Sequence, residues 1–431
     1  MDIPPIAPVR QNLKQPVVTD VAGEVRRQWE RSKLAQRVKP GDRVLVGVGS
    51  RGIQNIATMT RATIDLLRDL GAKPAVVSAM GSHGGATPEG QRELLASYGV
   101  TEAALRVPVL TDMTAVEIGT NSWNETVWWD KNAWEADALV TISRVKPHTD
   151  FRSTIESGIC KMLVIGLGKQ KGAAQHHKYG VRGLRDMLPE TAKVILEKTK
   201  FVASLAVLEN ANEETAVLEA VDREDVFRKE PGLLEQARQL MGRLPIDQLD
   251  LLVIGEIGKN YSGAGIDPNV VGRLLVEGQE EFEKPRITRI VCLDLSPESH
   301  GNGTGVGIAD LTTDRLLAGI DPVPFRMNNL TACFLWRSKL PIAFPTDREC
   351  IENGIKTCWQ PFPEKLRIAY IANTLEMAEL WVSPAVLADV KANPQLEQTG
   401  DPRPVPFDST GNIVQEQLFP HSVRGRRNGK H

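Results

Sequence analysis

The sequence predicts an α/β protein of two domains with a cleft between them. Three observations predict it. A length of 431 residues exceeds what one ordinary core organises. Short apolar runs of strand length alternate with stretches of helical period, in two successive series. A Leu-Pro-Ile-Asp joint at 244–247 separates the series. The expected domains are 1–243, carrying a cofactor site, and 244–392, closing over substrate, with a polar tail at 393–431.

Taken in order, residues 1–20 are proline-rich and read as a surface arm. Residues 21–38 have amphipathic helical spacing, Lys39-Pro-Gly-Asp turns the chain, and 43–48 is an apolar strand ending in Gly-Ser-Arg51-Gly. A helix over 53–70 stops at Gly71, and the strand 74–80 runs into the glycine-dense loop around His83. Thr87 caps the next helix, with Pro88 and Glu89 suited to its first turn. Strands and turns fill 106–129, and the buried strand 138–143 ends in Arg-Val-Lys-Pro-His148. Helix 183–198, strand 201–208 and charged helical sequence to 243 complete the first series. The second has strands at 251–255, 289–295, 342–344, 366–371 and 380–382, and helices near 325–336 and 347–359. Arg51, His83 and His148 each follow a strand, and open α/β sheets bind ligands beyond the carboxyl ends of their strands.

The totals narrow the class. A net charge of −2 offers no broad positive field for nucleic acid or anionic membrane. Five scattered cysteines without a Cys-x-x-Cys pair argue against a zinc ribbon, an iron–sulfur cluster or a disulfide frame. The N-terminus lacks a signal-peptide pattern and no run approaches membrane-spanning length, so a cytoplasmic protein is expected.

The densest chemistry lies in 142–180, which holds three of the seven histidines, His148, His176 and His177, and between them Lys161. His148 reads either as a turn residue set by Pro147 or as a proton-transferring base, with Asp150 a possible partner. Lys161 precedes the apolar run Met-Leu-Val-Ile-Gly and reads either as a snorkelling lysine or as a desolvated amine for covalent attachment. His176 and His177 point about a quarter-turn apart on a helix, so from spacing they are an exposed pair of which one could ligate a metal. Gly166-Leu-Gly-Lys-Gln-Lys-Gly imperfectly matches a dinucleotide loop, the third glycine falling one residue late. That match supports the alternative of a nicotinamide-dependent dehydrogenase, with Glu209 offered to the ribose. A non-catalytic anion-binding protein is the second alternative. Lys259 follows a second-domain strand and reads as a loop lysine or as a cation closing over an anionic substrate; His300 is a weaker candidate of the same kind.

These residues resemble the nickel-pincer-nucleotide-dependent racemase and epimerase family, in four separated motifs. Ser50-Arg51 is similar to the family's arginine after the first strand, and Gly81-Ser82-His83 to its Gly-Thr-His loop. Pro147-His148 followed by Ser157-Gly158-Ile159-Cys160-Lys161 resembles its Pro-His and Ser-Gly-Gly-Arg-Lys turn, and His177 lies sixteen residues past that lysine, as in the family. Lys259 resembles its second-domain lysine. The gap from Pro-His to the lysine is three residues longer than in lactate racemases, and Gly84 stands where they often have arginine, which implies a different pocket and a substrate other than lactate. The resemblance implies a nickel-pincer nucleotide tethered by Lys161, with His177 as the protein's nickel ligand and His176 as the fallback. It implies His83 and His148 as two bases that invert a 2-hydroxy acid through hydride transfer. Arg51 and Lys259 would hold the substrate carboxylate. The partners implied are the hydroxy acid itself and the enzymes that build the cofactor.

Overall fold

A computed structural model of the protein describes residues 2–50 and 52–428, and the side chains of 425, 427 and 428 stand outside that description. Arg51 lies outside the described residues. The chain is of the α/β class and forms two compact units. Gln15–Met241 is one; residues up to Lys14 join Gly242 onward in the other.

In the unit Gln15–Met241, the strands are β2 (Arg43–Val48), β3 (Lys73–Ser78), β4 (Val109–Leu110), β7 (Ala138–Arg144), β8 (Phe201–Glu209) and β9 (Thr215–Asp222), following β1 (Ala7–Gln11) of the other unit. Between β4 and β7 a separate hairpin pairs β5 (Ala115–Thr120) with β6 (Thr126–Asp130). The sheet order is β4-β3-β2-β7-β8-β9, parallel except for β9. Strand order therefore reverses between β2 and β7, and the carboxyl ends of those two strands flank the switch point where open sheets hold ligands. Period-2 alternation buries both faces. Val44, Val46 and Val48 face Val25, Trp29 and Ile64, while Leu45 faces Val77, Leu139 and Leu163. The helices Val21–Arg31 and Ile56–Asp69 cover one face, and Leu188–Lys198 and Val226–Leu240 the other.

The expected helix 21–38 is two pieces, Val21–Arg31 and Leu34–Arg37. Ser32 divides them: its hydroxyl donates to Trp29 O and accepts from Leu34 N–H, a local bonding pattern that competes with a continuous helix.

In the other unit, eight strands run β13-β12-β11-β10-β14-β15-β1-β16. They are β10 (Gln248–Ile254), β11 (Arg286–Cys292), β12 (Leu311–Thr313), β13 (Ile342–Phe344), β14 (Ile368–Ile371), β15 (Glu379–Val382) and β16 (Leu396–Gln398), with β1. Two expectations are corrected here. The proline-rich arm holds β1, inserted antiparallel between β15 and β16, so the first residues belong with the second series of elements. The tail is not loose: β16 pairs with β1, Trp381 Nε1–H donates to Leu418 O at 2.7 Å, and Arg424 pairs with Asp294 at 2.8 Å. Its apolar side chains Val405, Ile413, Leu418 and Phe419 join the core of this unit, which its polar composition concealed. The expected helix 325–336 is Pro322–Ala332, begun by Asp321 accepting from Val323 N–H and ended at Cys333, which has a left-handed φ of 62°.

Candidate active site

β7 delivers the first functional segment. Six of its seven residues are buried, and at its end Arg144 pairs with the buried Glu209 at 2.7 Å. Glu209 also accepts Gln54 N–H at 2.6 Å, so it serves the strand ends rather than a ribose. The chain then makes a closed loop, pinched where Lys146 N–H donates to Ser157 O at 3.0 Å. Inside that loop the Glu156 carboxylate is buried. It accepts His148 N–H at 2.6 Å and Ser153 N–H at 2.9 Å, and pairs at 2.7 Å with Arg238 on the helix Val226–Leu240. Three partners on one carboxylate fix the backbone of His148.

The His148 ring packs on the buried Phe151, with centroids 4.5 Å apart. Its Nδ1 accepts Asp150 N–H at 3.1 Å, and Asp150 Oδ2 stands 3.6 Å from the same nitrogen. Its Nε2 meets Lys161 Nζ at 2.6 Å. Burial, then the charge of Lys161, holds His148 well below the usual imidazole range; Lys146 and His177 act in the same sense and Asp150 opposes them.

Lys161 is placed by a helix start. Gly158 is extended, and a Cβ there would fall 2.1 Å from Glu230 Oε1, so only glycine lets that carboxylate approach. Glu230 is fully buried and accepts Cys160 N–H at 3.1 Å, satisfying a donor of the first turn. Burial pushes its pKa up to about 7. Beyond Lys161, Met162–Gly166 forms a π-turn in which Leu167 N–H reaches Met162 O at 3.0 Å. A Cβ at Gly166 would lie 2.7 Å from Ala79 O, so this glycine lets the helix sit directly on the end of β3.

The segment Gly166–Gly172 is therefore a turn at Leu167–Gly168 between two helical pieces, with Gly166 packed on the end of β3, not an open phosphate loop. Lys169, at φ 55°, buries its amine against Asp130 at 2.8 Å and Ser78 O at 2.7 Å. Burial outweighs the Lys169 charge and raises the Asp130 carboxyl.

The helix Lys169–His177 separates the two adjacent histidines. His176 is buried with Nδ1 on Gly172 O at 2.8 Å and Nε2 on Thr191 Oγ1 at 3.0 Å, so both ring nitrogens are occupied within the protein. His177 is half-buried, and burial followed by the charge of Lys161 lowers its pKa to about 4. It is a neutral imidazole at pH 7, and it shares the electrostatic field of Lys161, Asp150 and His148. The expected exposed pair is thus one buried structural histidine and one half-buried neutral imidazole.

The His83 loop is stitched to the π-turn Met162–Gly166. Gly81 N–H donates to Gly166 O at 3.0 Å, and Gln91 Nε2 holds Gly81 O and His83 O at 3.1 and 3.2 Å. The His83 side chain is exposed. Ser50, immediately before Arg51, accepts the Tyr98 hydroxyl at 2.6 Å. Lys259 belongs to the other unit. Its N–H donates to Ser299 Oγ at 2.8 Å and its amine to Gly263 O. Among the described residues, no three His, Cys, Asp or Glu side chains converge as a metal cluster. No helix among them is long and apolar enough to cross a membrane.

Two residues central to this geometry escaped the sequence reading. Glu230 had a signal, because it occupies the apolar stripe Val226, Glu230, Leu233, Ala237, Leu240 of its helix. Glu156 lies in a loop, where no periodicity exists to mark it.

A family model described as a domain of unknown function, DUF362, matches residues 50–217, a span that contains His83, His148, Lys161 and His177. No curated protein matches the chain. Among solved structures, the lactate racemase apoprotein from Thermoanaerobacterium thermosaccharolyticum is similar with a TM-score of 0.45 and 12% identity, over 82% of this chain and 91% of that one.

Proposed function

We propose that this protein is an isomerase, a racemase or epimerase of a 2-hydroxy acid, whose Lys161 carries a nickel-pincer nucleotide. The observation that carries this reading is the 2.6 Å approach of Lys161 Nζ to His148 Nε2, with the neutral His177 imidazole in the same field. The donor set suits such a group. An amine at a helix start is available for a covalent bond, and a neutral imidazole offers one lone pair to a metal. With no cluster of three protein ligands among the described residues, a metal here would come inside a group that brings most of its own donors. When bound, the nucleotide supplies a centre that accepts and returns a hydride.

The chain's own residues do the proton work and the positioning. His148 is assigned to take the substrate hydroxyl proton at Nε2 and to give it back, with the Asp150 carboxylate, 3.6 Å from Nδ1, as counter-charge for the imidazolium. His83 is assigned as the base for the opposite face of the substrate, and Arg51, outside the described residues, as the carboxylate clamp. His177 is assigned as nickel ligand; His176 is not, because both its nitrogens are engaged. Lys259, in the other compact unit, takes no part in this assignment.

Co-expression with enzymes that build the nucleotide, followed by intact mass and nickel analysis, tests the reading. Wild-type protein should carry a covalent adduct that Lys161→Ala lacks, and the loaded protein should scramble the configuration of chiral 2-hydroxy acids. Wild type without adduct, or an identical adduct in Lys161→Ala, ends it. Retained ligand binding by loaded protein with no turnover of any hydroxy acid would favour a non-catalytic anion-binding role.

A further inference from the structure

His148 has two ring nitrogens, and the loop assigns each a partner. Asp150 N–H donates to Nδ1, so the single proton of the neutral ring sits on Nε2. Lys161 Nζ is 2.6 Å from that Nε2. An N–H and an ammonium cannot both donate in one contact. The arrangement closes when the amine is uncharged and accepts the Nε2 proton. Two described charges agree with it: Lys146 and His177 add to the cost of a further positive charge on the ring, and Asp150 offsets part of it. Arg152 Nη1 donates to His148 O at 2.8 Å and Glu156 holds His148 N–H, so the loop presents the ring from a fixed backbone.

We propose that His148 holds Lys161 as an uncharged, nucleophilic amine, and that conversion of that amine to an amide moves the His148 ring proton from Nε2 to Nδ1. The inference rests on Lys161 as the attachment point. An amine nitrogen accepts hydrogen bonds, whereas an amide nitrogen only donates. After acylation the group facing Nε2 offers an N–H, so Nε2 must present its lone pair. The proton then belongs on Nδ1, so the 3.1 Å contact from Asp150 N–H must open and the Asp150 carboxylate, 3.6 Å away, must close on Nδ1 as the new acceptor. Covalent loading thereby turns His148 from a donor into a base. In the acylation step the Nζ lone pair attacks a carbonyl carbon and a C–N bond forms. The bond from that carbon to its leaving group breaks, and one amine proton leaves with the departing anion.

Two measurements on the unloaded, full-length protein test this. Long-range ¹H–¹⁵N spectra of the His148 ring should report the Nε2–H form with free Lys161. They should report the Nδ1–H form in protein made with Nε-acetyl-lysine at position 161. The same tautomer in both, or Nδ1–H with the free amine, overturns the proposal. Separately, p-nitrophenyl acetate should acetylate Lys161 at pH 7 at least about tenfold faster than surface lysines, which are uncharged in about one molecule in 2,500 at that pH. Peptide mass gives the rate, and His148→Ala should erase the advantage. Acetylation at the rate of surface lysines overturns the proposal. Neither result depends on the nucleotide, so an absent cofactor adduct sinks the racemase reading and leaves this pair to be judged by itself.

Discussion

The backbone N–H of His148 donates at 2.6 Å to the wholly buried carboxylate of Glu156, which also pairs with Arg238. A loop thirteen residues before Lys161 thus has one internal anchor that fixes where its imidazole meets the amine.

Replacing that anchor should loosen the site and the fold together. Glu156→Ala leaves the His148 and Ser153 N–H groups without this acceptor and takes from Arg238 its buried carboxylate, leaving it Glu235 and Ser153 O. The expected loss is about 3–5 kcal/mol, as for other broken buried pairs. Glu156→Gln, which keeps one acceptor oxygen, should lose less. Urea unfolding of both variants checks the order, and equal losses would show that the acceptor oxygen Gln retains contributes nothing beside the lost charge.

Gly158 and Glu230 should be energetically coupled. A methyl group at 158 falls 2.1 Å from Glu230 Oε1, inside any allowed contact. Gly158→Ala should cost about 1–3 kcal/mol by overpacking. In a Glu230→Ala background the same change should cost less, because the colliding oxygen is gone. A double-mutant cycle reads the difference, and strict additivity would refute the contact.

Glu230 also sets a pH dependence with a definite sign. Its folded pKa, about 7, lies above the unfolded value of 4.5, so the native state binds the proton more tightly. The stabilisation is fully present below about pH 4.5 and is lost as pH rises through 7. Glu230→Gln keeps an acceptor for Cys160 N–H and cannot ionise. Its stability relative to wild type should therefore grow between pH 5 and 8, by up to about 3 kcal/mol. Melting temperatures across that range check this, and a flat difference would contradict it.

His177 runs the other way. Its folded pKa of about 4 lies below the ordinary imidazole value of 6.5, so its contribution is present above pH 6.5 and lost as pH falls through 4. His177→Gln should remove that part of the acid destabilisation. In co-expressed protein it should also keep the Lys161 adduct while losing nickel. His176→Gln should keep the nickel but lower the melting temperature, since it breaks the bonds to Gly172 and Thr191. The reverse pattern of metal loss would exchange the two roles.

Local sequence was enough to locate the α/β alternation and the strands after which His83 and His148 fall. Those signals are short-range: apolar period, glycine-rich turns, and unusual residues after a strand. What the chain order alone left open was settled by partners far apart in sequence. Glu230 meets Cys160 across seventy positions, and Arg238 meets Glu156 across eighty-two. The same long-range packing put His176 inside and left His177 half-buried within the field of the Lys161 charge, and it laid Gly166 on the end of β3 instead of opening it to a phosphate. It drew the polar tail and β1 into the second sheet, where cross-strand hydrogen bonds and a few apolar side chains outweigh composition. Periodicity reports which side of an element is buried; only the folded chain determines what that side is buried against.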